Sequence, residues 1–181
     1  MKILILSGKA RHGKNTFADI LQSKLESKNK KVIQMAYGDL VKYVCNKYFG
    51  TTYEHNEENR YIWQNVGTNR VRENLNMPNY WVDRVCDFIK MTEGMYDYVI
   101  ITDARFINEI EIPKSMFKHV ETFRIIRPNF DSGLTETQLK HVSETQLDDY
   151  KFDNIVYNTS LEKLNTYVDN YIKEMMWYEY N

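Results

Sequence analysis

Residues 2–16 read KILILSGKARHGKNT, and the fold is decided here. The apolar run at 3–6 is too short for a membrane span or a signal core, so it predicts a buried strand over residues 2–7. The strand meets Gly8, and residues 8–14 follow the pattern G-x-x-x-x-G-K. That layout suits a polyphosphate for a physical reason. Successive main-chain N–H groups must wrap around the oxygens, glycine at each end lets the backbone approach and bend, and a lysine adds a point charge. Arg11 and His12 lie inside the loop, where the backbone N–H of His12 is the group that counts. Asn15 follows Lys14, and the hydroxyl that usually takes that place comes one later, at Thr16. Beyond the loop, Phe17, Ile20, Leu21 and Leu25 recur at three- and four-residue spacing, which predicts an amphipathic helix from 13 to about 28. A strand before the loop and a helix after it supply the context the motif requires, with the helix dipole favouring an anion at its start.

Working outward, further strands are predicted at 31–37, 98–102, 120–126 and 155–157. Helices are predicted from Asp39 to about Phe49, in pieces over 54–75, from Pro78 onward, and after 160. Trp81, Val82, Val85, Phe88 and Ile89 read as one face of the helix after Pro78, and Leu161, Leu164, Val168, Ile172 and Met175 as a stripe on the last. Near-continuous apolar strands separated by amphipathic helices predict a three-layer α/β/α fold around a parallel five-stranded sheet. Ligands of such sheets bind at the carboxyl ends of the strands.

The rest of the composition narrows the function by exclusion. The chain has 181 residues, 24 Lys and Arg against 25 Asp and Glu, and a formal net charge of −1, which argues against coating nucleic acid by bulk charge. With a mean hydropathy of −0.60 it shows no apolar run approaching a membrane span. Its two cysteines and four scattered histidines form neither a disulfide framework nor a metal-ligand spacing. These features predict one domain over 1–181, soluble and cytoplasmic, without nucleic-acid or membrane partners.

Candidate residues cluster at predicted strand ends. Asp103 ends the strand at 98–102, where a carboxylate can orient Mg²⁺ or its waters; it could equally cap the next helix. Arg105 is placed for bidentate phosphate contact, or for an i,i+4 pair with Glu109. Arg127 ends another strand, just before Pro128. Asp39 and Lys42 follow the second strand, read either as acceptor contacts or as a cap and a solvated lysine. Trp63 and Trp81 could stack on a base or belong to the core. Asn158 joins the last strand to the last helix, where a loop can present groups to adenine. No Ser-His-Asp or paired-carboxylate arrangement is present, and phosphoryl transfer to an anionic phosphate needs none.

Residues 8–19 (GKARHGKNTFAD), 38–42 (GDLVK), 64–70 (QNVGTNR), 81–82 (WV), 101–109 (ITDARFINE), 127–128 (RP) and 141–144 (HVSE) occur in this order over nearly the whole chain. Together they resemble the deoxynucleoside monophosphate kinases of bacteriophages. The resemblance implies a P-loop kinase architecture with an acceptor-binding helical region (38–95) and a lid (128–149). It implies transfer of the γ-phosphoryl of ATP, with Mg²⁺, to a deoxynucleoside monophosphate in nucleotide metabolism, in a host cytoplasm if phage-encoded, by an enzyme it suggests is a homodimer. The donor-side residues so implied are Gly8, Arg11, His12, Gly13, Lys14, Asn15, Thr16, Arg127 and Asn158. On the acceptor side they are Asp39, Lys42, Gln64, Arg70, Trp81, Asp103, Arg105 and Glu109. Lys14, Arg105 and Arg127 are the implied catalytic cations, and Asn15, Thr16 and Asp103 stand nearest the metal. The lid segment holds no arginine, so Lys140 or Arg127 would serve as its cation. His141, Ser143 and Glu144 match the pattern without disclosing their chemistry. Two alternatives remain: a kinase of the same fold acting on dephospho-coenzyme A, phosphomevalonate or another small phosphorylated metabolite, and a non-catalytic ATP-binding module. A GTPase switch is disfavoured because residues 46–49 (NKYF) lack the aspartate of N-K-x-D.

Overall fold

The computed structural model describes the backbone of residues 1–180 and the side chains of residues 1–177. Five strands, β1 (Lys2–Ser7), β2 (Val32–Met35), β3 (Tyr98–Ala104), β4 (Val120–Ile126) and β5 (Asn154–Tyr157), form one sheet in the order β2-β3-β1-β4-β5. All four pairings are parallel. The central strand β1 alternates its side chains. Leu4 and Leu6 enter a core with Phe17 and Leu21 of α1 (Lys14–Glu26) and with Leu164, Val168 and Ile172 of α8 (Leu161–Tyr180). Ile3 and Ile5 enter the opposite core with Val82, Cys86 and Ile89 of α4 (Tyr80–Met91) and Ile110 of α5 (Asn108–Met116). This two-sided burial is why the strands read as apolar runs. The three-layer architecture with five parallel strands is the one the sequence predicts.

Between β2 and β3 lies a helical region with its own small core of Val41, Cys45, Trp63, Val66 and Trp81. It comprises α2 (Tyr37–Tyr48), α3 (Glu57–Gln64), a π-helix (Asn65–Asn74) and α4. The segment after β4 holds two one-turn helices, α6 (Glu136–Leu139) and α7 (Val142–Thr145).

Several local expectations are corrected. Strand β2 stops at Met35, because the first amides of α2, those of Tyr37 and Gly38, are claimed by the Asp103 carboxylate. Asp39 is therefore not the residue preceding the helix; it sits in the first turn and accepts a hydrogen bond from the Ala36 N–H at 2.9 Å. Phe88 is exposed, since Val82, Val85, Cys86 and Ile89 already make the i, i+3, i+4, i+7 stripe and Phe88 falls off it. Leu161, at the first turn of α8, is exposed as well.

Phe17 fixes α1 to the sheet, fully buried with its ring centroid 5.7 Å from Phe123 and 6.0 Å from Tyr167. Phe17→Ala leaves a cavity beneath the phosphate loop, and urea unfolding should show a loss of about 3–5 kcal/mol.

Candidate active site

The loop leaving β1 takes backbone conformations that explain its glycines. Gly13 sits at φ 93° and precedes α1, and a Cβ there would collide with the Asn158 amide. A Cβ on Gly8 would lie 2.5 Å from the Ile125 carbonyl oxygen. Arg11 tolerates a left-handed φ of 63°, and its guanidinium donates to the Ser132 carbonyl of the segment after β4 at 2.7 Å. Two neighbours brace the loop from outside. The Asn158 side chain donates to the His12 carbonyl at 3.0 Å, and His12 Nδ1 accepts from the Arg127 N–H at 3.1 Å. Burial first, then Lys14, lowers the His12 pKa, which keeps Nδ1 an acceptor.

Lys14 opens α1 with its side chain inside the loop. Its Nζ donates to the carbonyls of Gly8 at 2.7 Å and Lys9 at 2.9 Å. Burial, with Arg105 as the next contributor, brings its pKa down from 10.5 to about 7.

A cleft of about 860 Å³ runs from this loop to the helical region. Arg11, Gly13, Lys14, Asn15 and Thr16 of the loop line it together with Asp39, Lys42, Gln64 and Trp81 of the helical region and with Asp103, Arg105 and Glu109. Gly8, His12, Arg70, Arg127 and Asn158 do not line it. Gly8, His12 and Asn158 instead shape the loop from behind. Arg127 is exposed and stacks on Phe130, 4.0 Å from the ring centroid, beside the loop's outer face. Lys140 pairs with Glu136 on the surface of the segment after β4.

Asp103 lies where β3 runs three residues against two of β1 between Ile101 and Ala104, a bulge that redirects the strand end. Each of its oxygens accepts one N–H of α2, from Tyr37 at 2.7 Å and Gly38 at 2.9 Å, so two of roughly four acceptor positions remain. Glu109 is buried and accepts from the N–H groups of Arg105 at 2.6 Å and Phe106 at 3.1 Å. Burial raises its pKa to about 7 against the opposing pull of Arg72, whose Nη2 lies 2.6 Å away. Arg72, not Arg70, is the arginine of the π-helix that faces the cleft. In a ladder closed five residues apart, Gly67 and Arg72 share a face, and both are in the cleft wall, while Arg70 turns outward over Phe49.

Arg60 also lines the cleft, carried there by α3 from a segment the sequence marks only as polar. Trp81 is both core and wall: it is buried and its Nε1 donates to the Gly67 carbonyl at 2.9 Å. Trp63 lies beside it in the same wall, with the Lys42 ammonium 5.6 Å from its ring centroid. Among the described residues no three His, Cys, Asp or Glu side chains gather as a metal cage, and no helix is long and apolar enough to cross a membrane.

No protein-family model matches the chain, and no curated protein matches it in sequence. Solved structures do match in fold. The APS kinase of Mycobacterium tuberculosis in complex with AMPPNP and APS superposes with a TM-score of 0.57 at 10% identity, covering 97% of both chains. A sugar kinase from a Janibacter species gives a TM-score of 0.55 at 10% identity, covering 96% of this chain and 95% of its own. At such identity the likeness is one of architecture. The fold is that of the P-loop kinases.

The lowered pKa of Lys14 has a measurable sign. Between about 7 and 10.5 the unfolded chain binds the proton that the folded loop sheds, so this group's cost to stability fades as pH rises through that window. A bound polyphosphate restores the proton, so triphosphate binding at about pH 8 should take up close to one proton, read as a buffer-dependent calorimetric enthalpy. In Lys14→Met the buffer dependence should vanish; equal dependence in both proteins would remove the loop lysine from anion binding.

Proposed function

We propose that this chain moves the γ-phosphoryl of ATP to a deoxynucleoside monophosphate, giving dNDP and ADP. One observation carries the reading: a lysine-bearing loop and three arginines, Arg60, Arg72 and Arg105, line a single cleft whose wall also holds Trp63 and Trp81. A donor triphosphate and an anionic acceptor with an aromatic base would meet between them. The likeness to kinases in fold supports transfer chemistry, and the resemblance of the ordered motifs to those of phage deoxynucleoside monophosphate kinases supports the acceptor.

In this reading the loop amides and Lys14 hold the transferring phosphoryl, and Arg105 meets the acceptor phosphate. Charge stabilisation and alignment supply the catalysis, with no side chain needed as base. Trp63, Gln64 and Trp81 form the wall against which the base would rest. Asp39 and Lys42 close the acceptor end, and Glu109 steadies Arg72. The oxygen donors Thr16, Asn15 and Asp103, all in the cleft wall, suit Mg²⁺ held mainly by phosphates and water, with Asp103 retaining free acceptor positions. The ion would neutralise phosphate charge. Arg127 and Phe130 offer a stacked platform on the donor side.

A coupled ADP-release assay across dNMPs and NMPs tests the proposal; because kinases of APS and of sugars share the fold, dephospho-coenzyme A and phosphomevalonate belong in the same screen. Turnover with a dNMP is the expected result, and turnover only with another metabolite would reassign the acceptor. Lys14→Ala should lower kcat roughly a hundredfold or more with the fold intact. Arg105→Ala should raise the acceptor KM more than the ATP KM; the reverse would move Arg105 to the donor side.

A further inference from the structure

Glu144 is a carboxylate with no role in the reading above. It lies in α7, its side chain 1% exposed, far in sequence from everything it touches. It accepts the Ala10 N–H of the phosphate loop at 3.0 Å and a hydrogen bond from Arg105 Nη1, and Arg60 Nη2 stands 3.6 Å away. Arg105 also donates to the carbonyl of the adjoining Ser143 at 3.2 Å. Arg60 and Arg105 line the cleft, as does Ser143, but Glu144 does not. The carboxylate therefore sits behind the two guanidiniums, not in the space a phosphate would fill.

We propose that Glu144 is a positioning residue that gathers Arg60 and Arg105 beside the phosphate loop, so that both guanidiniums face the point of phosphoryl transfer. The inference rests on the phosphotransferase reading of the cleft. The two arginines come from separate elements, α3 and the turn after β3, and like charge pushes them apart. Burial and the nearby Arg105 already lower the Arg60 pKa. One carboxylate between them removes the repulsion yet leaves a surplus positive charge, to which Lys14 adds. That surplus is what two phosphate groups need in order to approach one another. The bond to Ala10 sets the pair in register with the loop. Burial pushes the Glu144 carboxyl upward, but Arg105, the Ala10 N–H and Lys14 outweigh it and hold its pKa below the usual value, so it stays charged.

The full-length chain tests this in two ways. In steady-state kinetics Glu144→Gln should lower kcat by about thirtyfold or more while the ATP KM moves less than about threefold, and Glu144→Asp should fall between it and the wild type. Arg60→Gln should cost much less in the Glu144→Gln background than alone. Additive costs, or a Glu144→Gln enzyme that binds ATP more tightly with undiminished kcat, would overturn the proposal, the latter marking Glu144 as a plug that nucleotide displaces. Independently of any substrate, the ligand-free wild type should show resolved Arg105 guanidinium proton signals by NMR that average out in Glu144→Gln; signals that persist there overturn it too. Should Glu144→Gln fail to fold, Glu144→Asp decides, since a side chain shorter by one methylene must shift those signals, and unchanged signals with unchanged kcat would sink the idea. Failure of every dNMP as acceptor would count against the proposed reaction alone, because the NMR arm still reports on Glu144.

Discussion

A buried ammonium held by main-chain carbonyls is the constraint on which the rest depends. Lys14 folds back onto the carbonyls of Gly8 and Lys9. Those bonds satisfy its protons, but burial depresses its affinity for charge. Such a group is uncomfortable until an anion arrives. The glycines and the strand that delivers the loop maintain that state, keeping the Lys14 ammonium on main-chain carbonyls at the cleft wall rather than in a salt bridge with a carboxylate of the fold.

The loop is kept rigid by contacts from the far half of the chain. Asn158 holds His12 from the turn after β5. Asp148 is shared by Lys9, at 3.0 Å, and by Arg124 of β4, at 2.7 Å, and Arg124 reaches Ser7 at 3.1 Å. Glu144 takes the Ala10 amide. The segment after β4 thus braces the loop with carboxylates and carbonyls, and through Ser143 and Glu144 it also holds Arg105 and Arg60 at the cleft. Asp103 performs a parallel task on the other side, joining the end of β3 to the start of α2 and so tying the helical region to the sheet.

What was legible in the sequence were the features written in local chemistry. The alternation of Ile3 and Ile5 with Leu4 and Leu6 is a strand buried on both faces; the spacing of Phe17, Leu21 and Leu25 is a helix; the glycines and lysine of the loop announce an anion. Arg60 and Glu144 were not legible as partners, because 84 residues of chain separate them and neither carries a local pattern (144 less 60). Arg72 was missed for a subtler reason. Arg70 was expected on the resemblance alone, and nothing in NVGTNRVREN declares the π-winding that turns Arg72 to the cleft before the hydrogen bonds are seen. Phe88 failed the other way, by being apolar one place away from the stripe that buries its neighbours.

The wider winding also makes this wall of the cleft sensitive to chain length. An ordinary helix advances about 100° per residue, so loss of one residue between Asn65 and Arg72 would relax the segment toward that form and rotate Arg72 away from Glu109. Exposed side chains there can drift freely, whereas the tally of peptide units cannot. Relatives that preserve this salt bridge should therefore vary in spelling along the segment while sharing its number of letters.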